Sequence, residues 1–231
     1  MVETALLHAI CAQPEEDTPR LVFADWLQEQ GGELNADWAA AIRVQVAWAH
    51  GVPDAPEPRL LNSQSGVDSV ARRLGLPPGI DTGRWERGFP EAVFGSFDAV
   101  RAAWPGLIGR VPFRDLRVVE SSDDTVADFV TWRGIDRLTA LDLRSWRRGL
   151  SAAPFGEPAL LTVAGCAALS RLTSLKMGYL HLTNSSAAAV MDSPHLKRLR
   201  TLQLRRADDT PNLTWHTQTR LTATFGSNAV V

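Results

Sequence analysis

Four short segments of this chain share one spelling, an apolar residue at i, i+3 and i+5. They are Phe113/Leu116/Val118, Leu138/Leu141/Leu143, Leu172/Leu175/Met177 and Leu199/Leu202/Leu204. Their starts lie 25, 34 and 27 residues apart, counting 113 to 138, 138 to 172 and 172 to 199. The i+3/i+5 pair is what a short strand needs to bury one face, because alternate side chains point to opposite sides. Leu141 and Leu143 then point inward, Asp142 between them points outward, and Leu138 enters the core from the preceding turn. One such unit cannot bury its apolar face alone, so neighbours must stack. The spacers suit returning helices. Asn184 to Met191 is one, with Asn184 or Ser185 expected as N-cap, Ala187 to Val190 packing inward, and Pro194 as the stop. Thr162 to Leu169 is expected to fill the same role one unit earlier.

A recurrence near this period implies an α/β fold, a short leucine-rich-repeat solenoid preceded by a small α-helical N-terminal module. The repeats are irregular. The Asn that often follows the strand is replaced by Ser121, Trp146, Leu180 and Ala207, so no Asn ladder crosses the turns. The longest interval holds the insertion from Ser145 to Pro158, whose composition reads as a loop. From Leu213 to Phe225, Leu213, Trp215, Leu221, Ala223 and Phe225 are interleaved with Thr and polar residues. That pattern predicts a strand or hairpin covering the open end of the stack.

Ahead of the repeats, residues 1–51 read as three helices. The first runs from about Glu3 to Ala12 with Leu6 and Ile10 on one face. Thr18 is expected to cap the second, with Pro19 at its first position and Phe23, Trp26 and Leu27 as its apolar stripe. Gly31-Gly32 ends it, and a third helix spans about Asn35 to His50. Residues 52–84 carry five prolines and read as a linker with at most one short helix, around Val67 to Leu74. Residues 85–231 are then the repeat domain. It opens with a strand at Gly88 to Phe94 and a helix from Ser96 to about Trp104, ended by Pro105-Gly106.

The stretch from Leu7 to Gly31, above all Arg20-Leu-Val-Phe-Ala-Asp-Trp-Leu27, resembles the bacterial repeat-companion domain, a short module found ahead of leucine-rich and other repeats. Ala41-Ile-Arg-Val-Gln45, Trp85-Glu-Arg-Gly-Phe89 and Ser193 to Leu204 are similar to other parts of that family. The resemblance implies an architecture and a bacterial, cytoplasmic setting. It transfers no activity and no site residues.

No Gly-rich phosphate loop, nucleophile elbow or zinc motif occurs. His8, His50, His181, His195 and His216 are scattered, and His195 after Ser193-Pro194 suits a turn role better than a base. Asp25 beside Trp26 could be a site residue, but it is expected to bond a neighbouring backbone group or Arg20. Asp123-Asp124 and Asp208-Asp209 are expected in solvated turns or at helix caps. Cys11 and Cys166 sit among small apolar residues and read as buried thiols. No apolar run approaches the roughly 20 residues needed to span a bilayer, so no membrane partner is expected. No cofactor or metal is implied, and the chain is not read as an enzyme.

Charge is the remaining signal. The formal net charge is −2, yet Arg137 to Arg206 holds 11 basic and 3 acidic residues, a net of +8. Repeat register puts Arg117, Asp142, Lys176 and Gln203 in one outward column and Val119, Arg144, Gly178 and Arg205 in the next. The two columns are expected to leave a net positive strip on a concave face. These residues, with Trp146 as a rim anchor, are the candidate partner-binding set: Arg117, Asp142, Arg144, Trp146, Lys176, Gln203 and Arg205. The expected function is a non-catalytic protein-interaction scaffold whose partner is a protein, an acidic one by charge. The acidic segment Met1 to Leu60, with ten acidic and three basic residues, is a second candidate occupant. The alternatives are a nucleic-acid-binding module using the basic repeat face, or an adaptor subunit of a larger bacterial complex.

Overall fold

The computed structural model describes residues 1–52, 58–145, 155–207, 213–227 and 229. The chain divides into two compact units, Met1–Val93 with Asp98–Phe113, and Phe94–Phe97 with Arg114–Val231.

The first unit begins with three helices: α1 (Val2–Ala12), α2 (Thr18–Gln30) and α3 (Glu33–Ala49). The apolar stripe of α1 runs through Leu7, Ile10 and Cys11, an i, i+3, i+4 set, so Leu7 replaces the expected Leu6 as the inward residue. Asp17, not Thr18, is the N-cap of α2, which moves Thr18 and Pro19 into its first turn. That is still the place where a missing N–H costs nothing. Phe23 and Leu27 are fully buried, whereas Trp26 is half-buried. Phe23, Trp38 and Phe89 form a three-ring cluster with centroids 5.1 to 5.7 Å apart.

The span read as a linker contains a short 3-10 turn at Arg59–Asn62 and a helix, α4 (Gln64–Arg73), capped by the Ser63 side chain. It buries Leu60, Val70, Leu74, Leu76 and Ile80. Of its prolines, Pro58 precedes the 3-10 turn and Pro77 and Pro78 follow α4. Strand β1 (Ile80–Thr82) follows, then the antiparallel pair β2 (Trp85–Glu86) and β3 (Phe89–Pro90). The turn between them has positive φ at Arg87 (51°) and Gly88 (81°). A Cβ at Gly88 would stand 2.2 Å from Ile42 Cγ1, so only glycine lets this turn sit on α3.

Three side chains from the helices hold the same turn by its backbone. Trp38 Nε1 donates to Gly88 O (2.7 Å), and Gln45 Nε2 donates to Trp85 O (3.2 Å) while its Oε1 accepts from Gly88 N (2.7 Å). Arg20, 1 % exposed, donates to Arg87 O of the turn (3.5 Å) and to Pro14 O (2.9 Å), and lies over the Phe89 ring. The chain then passes through β4 (Ala92–Ser96) into α5 (Phe97–Arg110). That helix does not stop at Pro105, as expected, but runs through it. Trp104, Leu107 and Val111 are all buried, and that packing outweighs the lost backbone bond.

The second unit alternates strand and helix: β5 (Asp115–Val119), α6 (Asp123–Phe129), β6 (Ala140–Arg144), α7 (Glu157–Gly165), β7 (Ser174–Leu180), α8 (Asn184–Met191), β8 (Thr201–Arg206) and α9 (Trp215–Phe225). Strands β5 to β8 are parallel and lie in chain order. Leu116, Leu141, Leu175 and Leu202 stand opposite one another, as do Val118, Leu143, Met177 and Leu204. All eight are buried, together with Phe113, Leu138 and Leu172 from the preceding turns; Leu199, the fourth turn residue, is only half-buried. On the other side each helix from α6 to α9 packs on the next. The architecture is therefore mixed α/β, with a mostly parallel sheet and helices leading the chain.

Several local expectations are corrected here. Thr183 caps α8 in a reciprocal capping box with Ser186, displacing Asn184 and Ser185 from that role. The helix of the preceding unit begins at Glu157 and ends at Gly165, followed by a 3-10 turn at Ala167–Leu169. Leu213 to Phe225 is not a strand or hairpin. Thr214 caps α9, and Leu213, Thr217 and Leu221 are its buried positions, an i, i+4, i+8 stripe on one helix face; a strand would put Trp215, Thr219 and Ala223 on that same face, and all three are exposed. Alternating Thr residues mimicked a strand period, but helical spacing of the buried residues decided the outcome. The segment is tied to the preceding unit by two hydrogen bonds: Leu204 N donates to Ala229 O (2.8 Å), and Asn184 Oδ1 accepts from Thr214 N (2.9 Å).

The burial difference in α2 gives a test. Phe23→Ala is expected to cost about 3–5 kcal/mol in urea unfolding, and Trp26→Ala clearly less, because Trp26 keeps part of its ring in water. Equal losses would contradict the packing described.

Candidate functional site

The register of the parallel strands sets the outward residues in columns. Arg117 pairs with Asp142, Asp142 with Lys176, and Lys176 with Gln203; Arg144 stands opposite Gly178, and Gly178 opposite Arg205. Of the expected set, the structure thus brings Arg117, Asp142, Arg144, Lys176, Gln203 and Arg205 onto one strand face. Trp146, with Arg147 and Arg148, lies outside the described residues.

The electrostatics differ from a uniformly positive strip. Asp142 is only 6 % exposed, although it points away from the leucines. Its carboxylate is covered by two guanidinium groups. Arg117 Nε donates to Oδ2 at 3.0 Å, while Arg144 donates from Nε to Oδ1 (3.0 Å) and from Nη2 to Oδ2 (2.9 Å). The Arg144–Asp142 contact is the bidentate fork that suits a carboxylate. These hydrogen bonds raise the Arg144 pKa further above its ordinary value. Arg117 also lies over the Phe94 ring, 5.9 Å from its centroid. Two of the four expected recognition cations are therefore spent on an internal clamp. Lys176 and Arg205 have no ion partner among the described residues, so the open charge sits at the β7–β8 end. Phe94, half-buried on β4, is a site residue the sequence reading missed. Only the position of the Arg117 side chain over its ring reveals it.

The other weighed residues resolve as structural contacts. Asp25 is exposed and pairs with Arg43 (2.7 Å), not with Arg20, because Arg20 is buried on the opposite side of α2. Asp123 sits in the first turn of α6, where both its oxygens accept from Gly156 N (3.0 and 3.1 Å). Asp208 and Asp209 lie outside the described residues. Beside His195, Ser193 Oγ accepts from the backbone N–H of His195 and Leu196 and donates to Ala164 O, which makes a turn. Cys11 is buried and Cys166 half-buried. Among the described residues no group of three or more His, Cys, Asp or Glu could hold a metal ion, and no helix is long and apolar enough to cross a membrane.

The first unit holds the most perturbed ionisable groups. Glu91, 2 % exposed, is raised from the ordinary 4.5 to about 7, by burial first and by the nearby Glu86 charge second. Arg20 is lowered to about 10, chiefly by burial. Asp17 stands between Arg87 Nε (2.8 Å, close but poorly aligned for a hydrogen bond) and His50 Nε2 (2.7 Å). A cleft of about 290 Å³ in this unit is lined by Gln45, Trp48, Ala49, Trp85, Glu86 and Arg87. Three of its polar side chains are already committed, Gln45 to the β2–β3 turn, Glu86 to Arg84 and Arg87 to Asp17, whereas the buried Trp85 Nε1 has no hydrogen-bond partner among the described residues. These groups are tied into packing rather than converged on a reacting position.

No protein-family model matches the sequence, and no curated protein is significantly similar to it.

Glu91 gives a pH-dependent prediction. Its folded pKa lies above its unfolded value, so the folded state holds the proton more tightly and stability falls as pH rises from about 4.5 to about 7. A shift of that size is worth about 3 kcal/mol once the group is fully ionised. Glu91→Gln is expected to flatten the urea-midpoint profile across that window and to be the more stable protein above pH 7. An unchanged profile would contradict the burial of this carboxyl.

Proposed function

We propose that this chain is a non-catalytic protein-interaction scaffold. In this reading the second unit is a short leucine-rich-repeat solenoid, and the N-terminal helices are a repeat-companion-like module in a bacterial, cytoplasmic protein. A protein partner, acidic where it meets the β7–β8 end, binds the outward strand face. The observation that carries the reading is the in-register placement of Lys176, Gln203 and Arg205 beside a fixed Arg117–Asp142–Arg144 clamp. A clamp of this kind holds two long side chains in one geometry before binding, which lowers the ordering cost of association. Phe94 adds an aromatic surface at the other end of the row, where such groups strengthen protein contacts.

The expected division of labour follows from the pairing. Arg117, Asp142 and Arg144 position the surface, while Lys176, Gln203 and Arg205 meet the partner. Lys176→Glu/Arg205→Glu is expected to abolish capture of the partner identified by pull-down and mass spectrometry, with the circular dichroism spectrum unchanged. The wild-type interaction is expected to weaken with salt. Capture that survives the double charge reversal would place the interface elsewhere.

A further inference from the structure

A second basic surface lies at the N-terminal ends of β5 to β8, away from the outward columns. The backbone builds it as two rows. Arg114 O accepts from Thr139 N, Thr139 O from Thr173 N, and Thr173 O from Arg200 N, each at 2.8 Å. These bonds set Arg114, Thr139, Thr173 and Arg200 side by side. Two residues earlier in each unit stand Arg137, Arg171 and Arg198, each directly before the turn leucine Leu138, Leu172 or Leu199. Neighbouring strands are about 4.8 Å apart, so the row of four spans roughly 15 Å and the row of three roughly 10 Å.

This surface is less neutralised than the strand face. Arg171, Lys197, Arg198 and Arg200 are all exposed and have no hydrogen-bond or ion partner for their side chains among the described residues. The acidic neighbours in these segments are Asp115 and Asp136, both at the β5–β6 end. Arg114 is held below the ordinary guanidinium range by burial first and by the charge of Arg171 second, so two like charges lie close together here. The composition is also distinctive. None of the exposed large hydrophobic residues, Met1, Val2, Leu21, Val22, Val52, Leu161 and Trp215, belongs to either row. Aromatic side chains are enriched among the anchors of protein interfaces, and the rows contain none. A phosphodiester backbone needs only charge and planar donors, which arginine supplies bidentately.

We infer that the strand-end rows, through Arg171, Lys197, Arg198 and Arg200, form a sequence-independent binding surface for the phosphate backbone of a nucleic acid. It is separate from the strand face assigned to a protein partner, and it stands or falls independently of that assignment. With no aromatic side chain in the rows to stack on a base, duplex is the form this surface suits best.

The test uses the full chain and a fluorescent 20-base-pair DNA duplex of arbitrary sequence, read by anisotropy between 50 and 200 mM salt. Wild-type protein is expected to bind, with log K falling linearly against log salt by about 0.9 per phosphate neutralised. Arg171→Gln/Arg198→Gln/Arg200→Gln is expected to weaken binding at least about tenfold at the lower salt and to flatten the slope by about 2.7, three contacts' worth. The control Lys176→Gln/Arg205→Gln is expected to bind within about twofold of wild type. Circular dichroism checks the fold of both variants. Absence of wild-type binding at 50 mM salt would overturn the inference. So would equal loss in the two variants, which would mean diffuse charge rather than this surface. Tighter binding of a poly-glutamate peptide than of the duplex at the same salt would overturn the nucleic-acid assignment.

Discussion

The lateral register of Leu116, Leu141, Leu175 and Leu202 is the constraint on which the second unit depends. Side chains on a strand alternate faces, so a slip of one residue would turn every leucine outward and bring Arg117, Lys176 and Gln203 into the core. The cost of burying those polar groups unpaired makes the register strongly specified. Register then fixes everything that faces the other way. The outward columns and the strand-end arginine rows are consequences of where the leucines sit, not separately encoded features.

Within that frame, Asp142 departs from its neighbours. A carboxylate that is 6 % exposed carries a desolvation cost, which two guanidinium groups offset. The arrangement lends order to Arg117 and Arg144, which would otherwise sample many rotamers, and leaves the open positive charge to Lys176 and Arg205. A comparable logic runs through the first unit. Arg20, Trp38 and Gln45 use their polar ends on the backbone at the β2–β3 turn and its approaches, and Gly88 permits the close contact with Ile42. In both units a few buried polar contacts define local geometry inside an otherwise apolar core.

Strand positions were legible in the sequence because the i, i+3, i+5 spelling reports one physical requirement, a buried strand face plus a turn residue. Helices α2, α3 and α8 were legible for a similar reason, through stripes and stop signals. What escaped was of another kind. Leu213 to Phe225 carries a strand-like Thr alternation, but its buried residues follow helical spacing, and only packing shows which are buried. Pro105 reads as a stop, yet the apolar residues beyond it hold the helix together. The columns of the candidate site were readable from register alone. Their charge balance was not, because a sequence does not show that both Arg117 and Arg144 turn toward Asp142. Nor does it show that Phe94 lies beneath Arg117.

The account's central claim is that a partner protein meets the outward strand face at the β7–β8 end. Site-specific photo-cross-linking tests it most directly. A photoreactive residue is placed at Gln203 on that face, or at Leu161, an exposed position on α7, and each protein is irradiated with the partner recovered by pull-down. The account predicts a covalent adduct from position 203 and none from position 161. An adduct from position 161 alone would contradict it and move the interface to the helical side.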